Sequence, residues 1–466
     1  MNKITNKIIV LFVTSLIGIA FFSFNLFVLK DDIKGLYDYK RIFVCFLLIV
    51  MSIHVLLHHE FRYKIIHQFN SLSQKVKVLF VIFFSSAAIA NLFGLYFYRA
   101  QEDYFYFIGL MLFCAVISMV CYQGRTRIFI YFTLISYLLF FSVILGHWVA
   151  VAYDIELSFH SIISFANPRM LNQVQSWIII PVMYFTIIAI RQSKTYILAI
   201  LPLALNFAII IALDGRGIAV SSITAILLWA WFDKSLRKMI LSVFFHSLIA
   251  GFIIKLALLS PLPEYLVLGI SPDAWTNIRT TDAGRLAVWI EALQMVSFLG
   301  HGGDAFICNS TTFGRPHNSI LLILVNWGVI SAISYSLLLL YAFKTIYLTK
   351  HRLIRVSGLS MLSGFAYSLV SGVVDSPLSQ LTGAISIALF WASCQHFKRC
   401  EVNNVAITRI TEKHFILILC SVLTIGLVGN KVYQRIDNNH YRGMPIGKTQ
   451  FWVGQNCIDE EALLMK

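Results

Sequence analysis

Four short segments of the chain hold polar residues whose types and spacing could bind a ligand or take part in proton transfer. Segment 165–177 mixes amides, aromatic residues and one arginine, Arg169. Asn172 and Gln175 are three residues apart, so on a helix they would share a face and could hydrogen-bond sugar hydroxyls. The alternative is an interfacial turn whose amides are already satisfied.

Two further segments place an arginine at the start of a predicted helix. Segment 214–217 reads Asp-Gly-Arg-Gly. Its glycines allow close backbone approach, and the following helix N-terminus together with Arg216 would form an anion site. The alternative is an arginine that snorkels to the surface and pairs with Asp214. Segment 281–293 predicts an amphipathic helix with Asp282 as N-cap and Arg285 in the first turn, where the helix dipole disfavours a cation unless an anion joins it.

The fourth segment, 314–321, contains the histidine whose position is most informative. Pro316 suits the first turn of a helix, so His317 and Asn318 are predicted to open the next apolar span. A helix N-terminus disfavours the imidazolium, which predicts a neutral His317 able to accept a proton. The alternative is a capping role.

Composition identifies the setting of these segments as a membrane. The chain has 466 residues, of which 58% are hydrophobic and 13% charged, and its mean hydropathy is +0.77. A soluble domain carries about 25% charged residues. These values exclude a soluble enzyme, a disordered chain and a disulfide-stapled secreted module. The net charge of +15 is interpreted as topology or anionic-lipid contact, and no basic stripe with interleaved aromatic residues indicates nucleic-acid binding.

The predicted fold is all-α, a polytopic integral membrane bundle of about 12–13 transmembrane helices. Lys and Arg concentrate in alternate connecting segments, which places the N-terminus inside and the C-terminus outside. The first span lacks a small-residue cleavage site and is interpreted as a retained helix. The predicted spans are 8–29, 42–57, 78–98, 105–122, 128–151, 177–190, 196–213, 218–232, 239–259, 317–341, 356–374, 378–397 and 414–429.

This topology puts all four polar segments on the outer side. It divides the chain into an N-terminal transmembrane bundle (1–259), a large outer loop (260–316), C-terminal transmembrane helices (317–429) and an outer tail (430–466). Long loops on one face of a bundle commonly carry binding residues.

Cysteine and acidic-residue patterns indicate no metal site. The eight cysteines form neither a CxxC pair nor a Cys/His cluster, and no D-x-D motif occurs outside. We therefore predict a mechanism without metal or other cofactor. Cys308 and Cys457 both fall outside, where an oxidising compartment would permit a disulfide, but the sequence does not fix their separation.

These motifs together resemble the bacterial O-antigen ligase and polymerase superfamily, whose members carry a long periplasmic loop with Arg at its start and a His-Asn pair at its end. Segment 214–217 is similar to the family's upstream Ser-Arg-Gly turn. Segment 167–177 resembles the branch that glycosylates type IV pilins and related proteins. The core resemblance covers about residues 200–340. It is carried by Gly284-Arg285…Trp289, Gly300-His301-Gly302-Gly303, Pro316-His317-Asn318-Ser319…Leu321 and Gly328. Asn326-Trp327-Gly328 departs from relatives that have an acid before the glycine.

The resemblance implies glycan transfer from an undecaprenyl-diphosphate carrier to an acceptor at the periplasmic face of the bacterial inner membrane. Arg216 and Arg285 are then the candidates that stabilise the diphosphate leaving group, and His317 is the candidate base, positioned by Asn318. The further substrate-binding candidates are Arg169, Asn172, Gln175, His301, Arg315 and Asn318.

Three acceptors remain open within this class. They are a Ser or Thr of a pilin-like protein, which segment 167–177 favours, the sugar of lipid A-core, and a growing glycan chain. A lipid-glycan transporter is the alternative outside the enzyme class. It should show paired halves and ionisable residues near mid-membrane, and Lys255 is the one candidate noted within a span.

Overall fold

The computed structural model describes residues 3–23, 33–154, 165–167, 169–192, 195–269, 284–311, 315–398, 410–437 and 450–453. Helices dominate these ranges, and no β-strand occurs within them. Short π-helical turns at Lys255–Leu259 and Thr424–Val428 extend two of the helices. In chain order the α-helices are α1 Lys3–Ser23, α2 Ile33–Leu57, α3 His59–Asn70, α4 Gln74–Leu92, α5 Phe97–Ala152, α6 Arg169–Arg191, α7 Tyr196–Ala212, α8 Arg216–Phe232, α9 Arg237–Ile254, α10 Leu262–Leu268, α11 Arg285–Gln294, α12 Ala305–Asn309, α13 Ser319–Leu348, α14 Arg352–Tyr367, α15 Pro377–Lys398, α16 Ile410–Leu423 and α17 Gly429–Asp437.

The prediction of an all-α membrane bundle is confirmed. In the part of the chain that the structure describes, 9 helical segments are long and apolar enough to cross a membrane, and three shorter apolar helices accompany them. Each of the predicted spans overlaps a helix. The segment Arg237–Leu268 runs past residue 259, into the predicted outer loop.

Several predicted boundaries differ from the structure. The predicted inside loop 123–127 is helical, so spans 105–122 and 128–151 both lie on α5. A polar run without proline does not end a helix, and the single glycine in it costs only about 1 kcal/mol. In addition, α6 begins at Arg169 and not at residue 177, because the amides of its first turns face other helices. The alternative of an interfacial turn is therefore wrong from Arg169 onward.

Trp177 joins the three helices that lie behind the site, α6, α14 and α15. Its Nε1 donates to Ser379 Oγ at 2.9 Å. Cβ atoms built on Gly364 and Gly383 would approach the indole to 2.2 and 2.9 Å. Small residues therefore let α14 and α15 close onto one large ring, which is how membrane helices pack tightly.

α13 is broken at Gly328, which has φ 78° and ψ 179°. The segment 298–302 crosses the break. His301 N donates to Val325 O at 3.0 Å and Val329 N donates to Phe298 O at 3.0 Å. The crossing segment therefore satisfies the backbone groups that the break frees, as membrane burial requires.

The amphipathic helix predicted in segment 281–293 is present as α11. Its N-cap is Gly284, while the predicted cap Asp282 lies outside the described residues. Val288 and Ala292 are buried, whereas Leu286, Ile290 and Leu293 are exposed. The exposed apolar face fits a helix that lies along a membrane surface.

Candidate functional site

His317 lies in a tight turn immediately before α13, which begins at Ser319. It has φ 51°, a left-handed conformation that is uncommon for residues other than glycine. Asn318 is the N-cap, and its Oδ1 accepts from Ile320 N at 3.0 Å and Leu321 N at 3.1 Å. Trp289 Nε1 donates to Pro316 O at 2.8 Å. The cap and the α11 indole thus fix the histidine turn from both sides, and the structure gives Asn318 a capping role.

The sequence analysis missed Asp375, which pairs with Arg315 next to this turn. Arg315 Nη1 lies 2.5 Å from Asp375 Oδ1, and both side chains are only about a tenth exposed. Asp375 lies in the turn 371–376 between α14 and α15. An acidic residue in a short loop between two spans was the signal that could have indicated it.

The site converges on the space above Gly372. A Cβ at this position would lie 3.2 Å from Asp375 Oδ2, 3.5 Å from His317 Nδ1 and 3.6 Å from Gln173 Nε2. Gln173 Nε2 also donates to Ser371 Oγ at 3.0 Å. A carboxylate, an imidazole and an amide therefore surround one small volume that the glycine leaves open.

His317 is held in its neutral form. The residue is exposed to solvent, yet desolvation by the surrounding protein is the main cause that lowers its pKa from 6.5 to about 4. Asp375 acts in the opposite direction. Three arginines that were selected from the sequence as site candidates lower the pKa of His317 further: Arg285, Arg315 and Arg169. Neutrality was the expectation, but desolvation and neighbouring guanidinium groups cause it here.

Arg216 is the first residue of α8 and contacts Asp214. Its Nε is 3.7 Å from Asp214 Oδ2, and both side chains are about half exposed. A Cβ on Gly217 would lie 2.8 Å from Tyr367 Cε2, so the turn packs against the end of α14. The contact with Asp214 is the pairing considered as the alternative for this arginine.

Three other predicted binding residues have partners or positions that favour packing. Gln175 is fully buried and its Nε2 donates to Asn206 O at 3.0 Å. Asn172 is also fully buried, with its Nδ2 beneath Gly215. His301 Nε2 lies 2.7 Å from Met295 O. The predicted contact of Asn172 and Gln175 with sugar hydroxyls, and of His301 with substrate, would therefore require these side chains to move.

A cavity of about 510 Å³ extends from the site along α13. Its lining runs from Ser319 to Thr345, which corresponds to roughly 40 Å of helix. The middle of the wall is apolar and the end near the site is polar. The polar end includes Arg41, Asp103, Asp304, Arg315, Asp375 and Gln380, and the apolar part includes Phe80, Phe84, Phe107, Leu110, Leu322 and Leu338. This shape suits a molecule with a polar head and a long hydrocarbon chain.

Several carboxylates share one lysine at the polar end of the cavity. Lys431 Nζ lies 2.5 Å from Asp103 Oδ1, 3.7 Å from Glu102 Oε2 and 4.0 Å from Asp304 Oδ2. Burial, followed by the negative charge of Asp103, raises the pKa of Asp304 to about 7. Asp304 therefore retains its proton in mildly acidic solution. This cluster was not predicted from the sequence.

Cysteine and metal predictions are only partly covered by the structure. Cys308 is disulfide-bonded, while the predicted partner Cys457 lies outside the described residues. No group of three or more His, Cys, Asp or Glu residues in the described ranges could hold a metal ion.

Comparisons with known proteins place this chain in no group: no family model, no curated protein and no solved structure matches it.

Proposed function

We propose that this protein is a membrane glycosyltransferase that moves an oligosaccharide from an undecaprenyl-diphosphate carrier to an acceptor hydroxyl. The acceptor we favour is a Ser or Thr of a pilin-like protein, which makes the protein an O-oligosaccharyltransferase. We place it in the bacterial inner membrane, in contact with membrane lipid. The distribution of Lys and Arg predicts that its site faces the outer side, which in this setting is the periplasm.

The observation that carries the proposal is that Arg315 links a neutral histidine to one end of a long, largely apolar cavity. The cavity offers room for a polyprenyl chain, and Arg315 lies both in its wall and within electrostatic range of His317. A lipid diphosphate placed with its chain in the cavity would therefore bring its anionic head to Arg315.

The proposed reaction is a single displacement. The acceptor oxygen forms a bond to the anomeric carbon while the bond from that carbon to the diphosphate oxygen breaks. His317 takes the hydroxyl proton, and undecaprenyl diphosphate leaves with the bonding electrons. Arg285, Arg315 and Arg169 stabilise the negative charge that develops on the leaving group.

One variant tests the base directly. We expect His317→Ala to abolish transfer from a lipid-diphosphate donor to a pilin-like acceptor, with the protein still inserted in the membrane. His351→Ala is the control, because His351 precedes α14 at the opposite end of α13. Normal transfer by His317→Ala would refute the assigned role.

A deletion strain separates the acceptors. A pilin that loses a discrete glycan mass, while the lipopolysaccharide ladder persists, supports protein glycosylation. Loss of the ladder with unchanged pilin supports a lipid A-core ligase, or a polymerase if single-repeat bands remain.

The length of the cavity also favours a lipid-glycan transporter as a second candidate. Unchanged products together with donor retained at the cytoplasmic face would support it.

A further inference from the structure

Arg41 is a fully engaged guanidinium within the membrane span Tyr37–Leu57, and it is only 1% exposed. A guanidinium carries five N–H donors. Two tyrosine hydroxyls, from Tyr106 at 2.9 Å and Tyr37 at 3.1 Å, accept from it. Its Nε donates to Phe451 O at 3.2 Å. The remaining two N–H groups donate to Gln380 Oε1 and to the backbone oxygen of Asp375.

Because all five donors have acceptors, Arg41 is poorly suited to bind a diphosphate although it lines the cavity. Arg41 instead binds backbone and side-chain oxygens of the protein around the site. It contacts the carbonyl of Asp375, whose carboxylate pairs with Arg315. Gln380 also holds the turn, since its Nε2 donates to Val374 O at 2.7 Å. Two consecutive carbonyls of the turn 371–376 are thus held from outside the turn.

We propose that Arg41 is a positioning residue that fixes the turn 371–376, so that Asp375 stays beside Arg315 and His317. Its catalytic consequence depends on the proposed transferase function. Segment 450–453 is part of the same arrangement, because Phe451 supplies an acceptor to Arg41 and lines the cavity. The C-terminal segment therefore contributes to the geometry of a site that lies far from it in sequence.

The first test measures the turn itself. Arg41→Lys keeps the charge but loses the planar, five-donor geometry. We expect faster backbone hydrogen exchange in the turn 371–376 of the purified full-length protein. Arg355→Lys is the matched control, since Arg355 is also buried and donates to two backbone oxygens, Phe232 O and Thr349 O, at the end of α14 opposite the turn. It should leave exchange in this turn unchanged. Equal exchange in wild type and Arg41→Lys would overturn the proposal.

The second test measures transfer. We expect Arg41→Lys to lower kcat roughly 10- to 100-fold, with the donor Kd within about twofold of wild type. If Arg41 acts through Asp375, adding Arg41→Lys to Asp375→Asn should cost little more. Full additivity, or an equal loss of kcat in Arg355→Lys, would overturn the positioning role.

Gln380→Met covers the case in which Arg41→Lys does not fold. It removes the bond to Val374 O and an acceptor of Arg41 at similar side-chain size, so we expect the same exchange signature and a smaller loss of kcat. Unchanged exchange in Gln380→Met would count against the proposal. A wild-type protein that transfers no glycan would refute the proposed function instead, and hydrogen exchange would still decide whether Arg41 holds the turn.

Discussion

The chemistry available to His317 is set by the charges within reach of its ring. Desolvation and three arginines oppose its protonation, while one carboxylate, that of Asp375, favours it. The outcome is a weakly basic but always available proton acceptor near neutral pH. Such a group suits a reaction in which the leaving group departs well. The base then only needs to orient the acceptor hydroxyl and accept its proton.

The lowered pKa of His317 predicts an unusual pH dependence. A histidine with a pKa of 6.5 would be about 90% protonated at pH 5.5, whereas His317, with a pKa of about 4, stays neutral. We expect kcat at saturating donor to change little between pH 7 and 5.5 and to fall as the pH approaches 4. The unfolded chain binds this proton below pH 6.5 and the folded chain does not until about 4, so this group reduces stability as the pH falls through that window.

The measurement is a pH–rate profile of the purified protein, with samples returned from pH 5.5 to pH 7 to exclude inactivation. Activity that is lost with a midpoint near 6.5 and not recovered at pH 7 would indicate inactivation. Activity that is lost near 6.5 and recovered at pH 7 would contradict the assigned environment of His317.

The open space above Gly372 predicts a second effect. In Gly372→Ala the new methyl would lie 3.2 Å from Asp375 Oδ2 and 3.5 Å from His317 Nδ1. We expect kcat to fall by roughly 10-fold or more while the amount of folded protein is maintained. Gly429→Ala is the matched control, because no other atom lies within 4 Å of its added Cβ. Equal activity of both variants would show that this space is not used.

At the scale of elements, the break in α13 explains why glycines recur in this part of the sequence. A Cβ on Gly300 would lie 2.5 Å from Gly328 N, and one on Gly328 would lie 2.4 Å from Phe298 O. Both residues also have positive φ. Gly300 and the distant Gly328 therefore serve one backbone crossing, which anchors the segment between α11 and α13.

We expect Gly328→Ala to destabilise the protein strongly. A non-glycine residue at such φ and ψ costs about 1–3 kcal/mol, and the clash with Phe298 O adds to it. A thermal unfolding measurement in detergent should show a Tm several degrees below wild type. Gly426→Ala, which has open space around its added Cβ, should unfold close to the wild-type temperature. An unchanged Tm in Gly328→Ala would contradict the tight crossing.

At the scale of the whole molecule, the cavity connects the site with the far end of α13. Leu338 lies in its wall, whereas its neighbour Leu337 is 44% exposed on the outside of the same helix. Adjacent residues of one helix thus face an internal cavity and the membrane. This gives a pair of positions at which the same substitution should act differently.

We expect Leu338→Trp to raise the KM for a donor with a full-length polyprenyl chain, because the indole would occupy space in the cavity. A donor with a chain of two or three isoprene units should be affected less. Leu337→Trp should leave both values near wild type. If each variant changes the KM of long and short donors equally, the lipid chain does not bind in this cavity.

Much of the architecture followed from the sequence alone. Apolar segments of membrane-spanning length locate the helices because the bilayer fixes how many residues are needed to cross it. His317, Arg285 and Arg315 could be selected because their signals are local: a proline, a helix start, a nearby glycine.

Only the tertiary structure identified Asp375, Gln173 and Arg41 as neighbours of the site. Asp375 lies in the turn before α15, Gln173 on α6 and Arg41 on α2. Nothing local in the sequence relates Arg41 to Asp375. It also showed that Asn172 and Gln175 face neighbouring helices. The direction in which a polar residue of a membrane helix points depends on which helices pack around it, and that packing is settled by contacts between segments far apart in the chain.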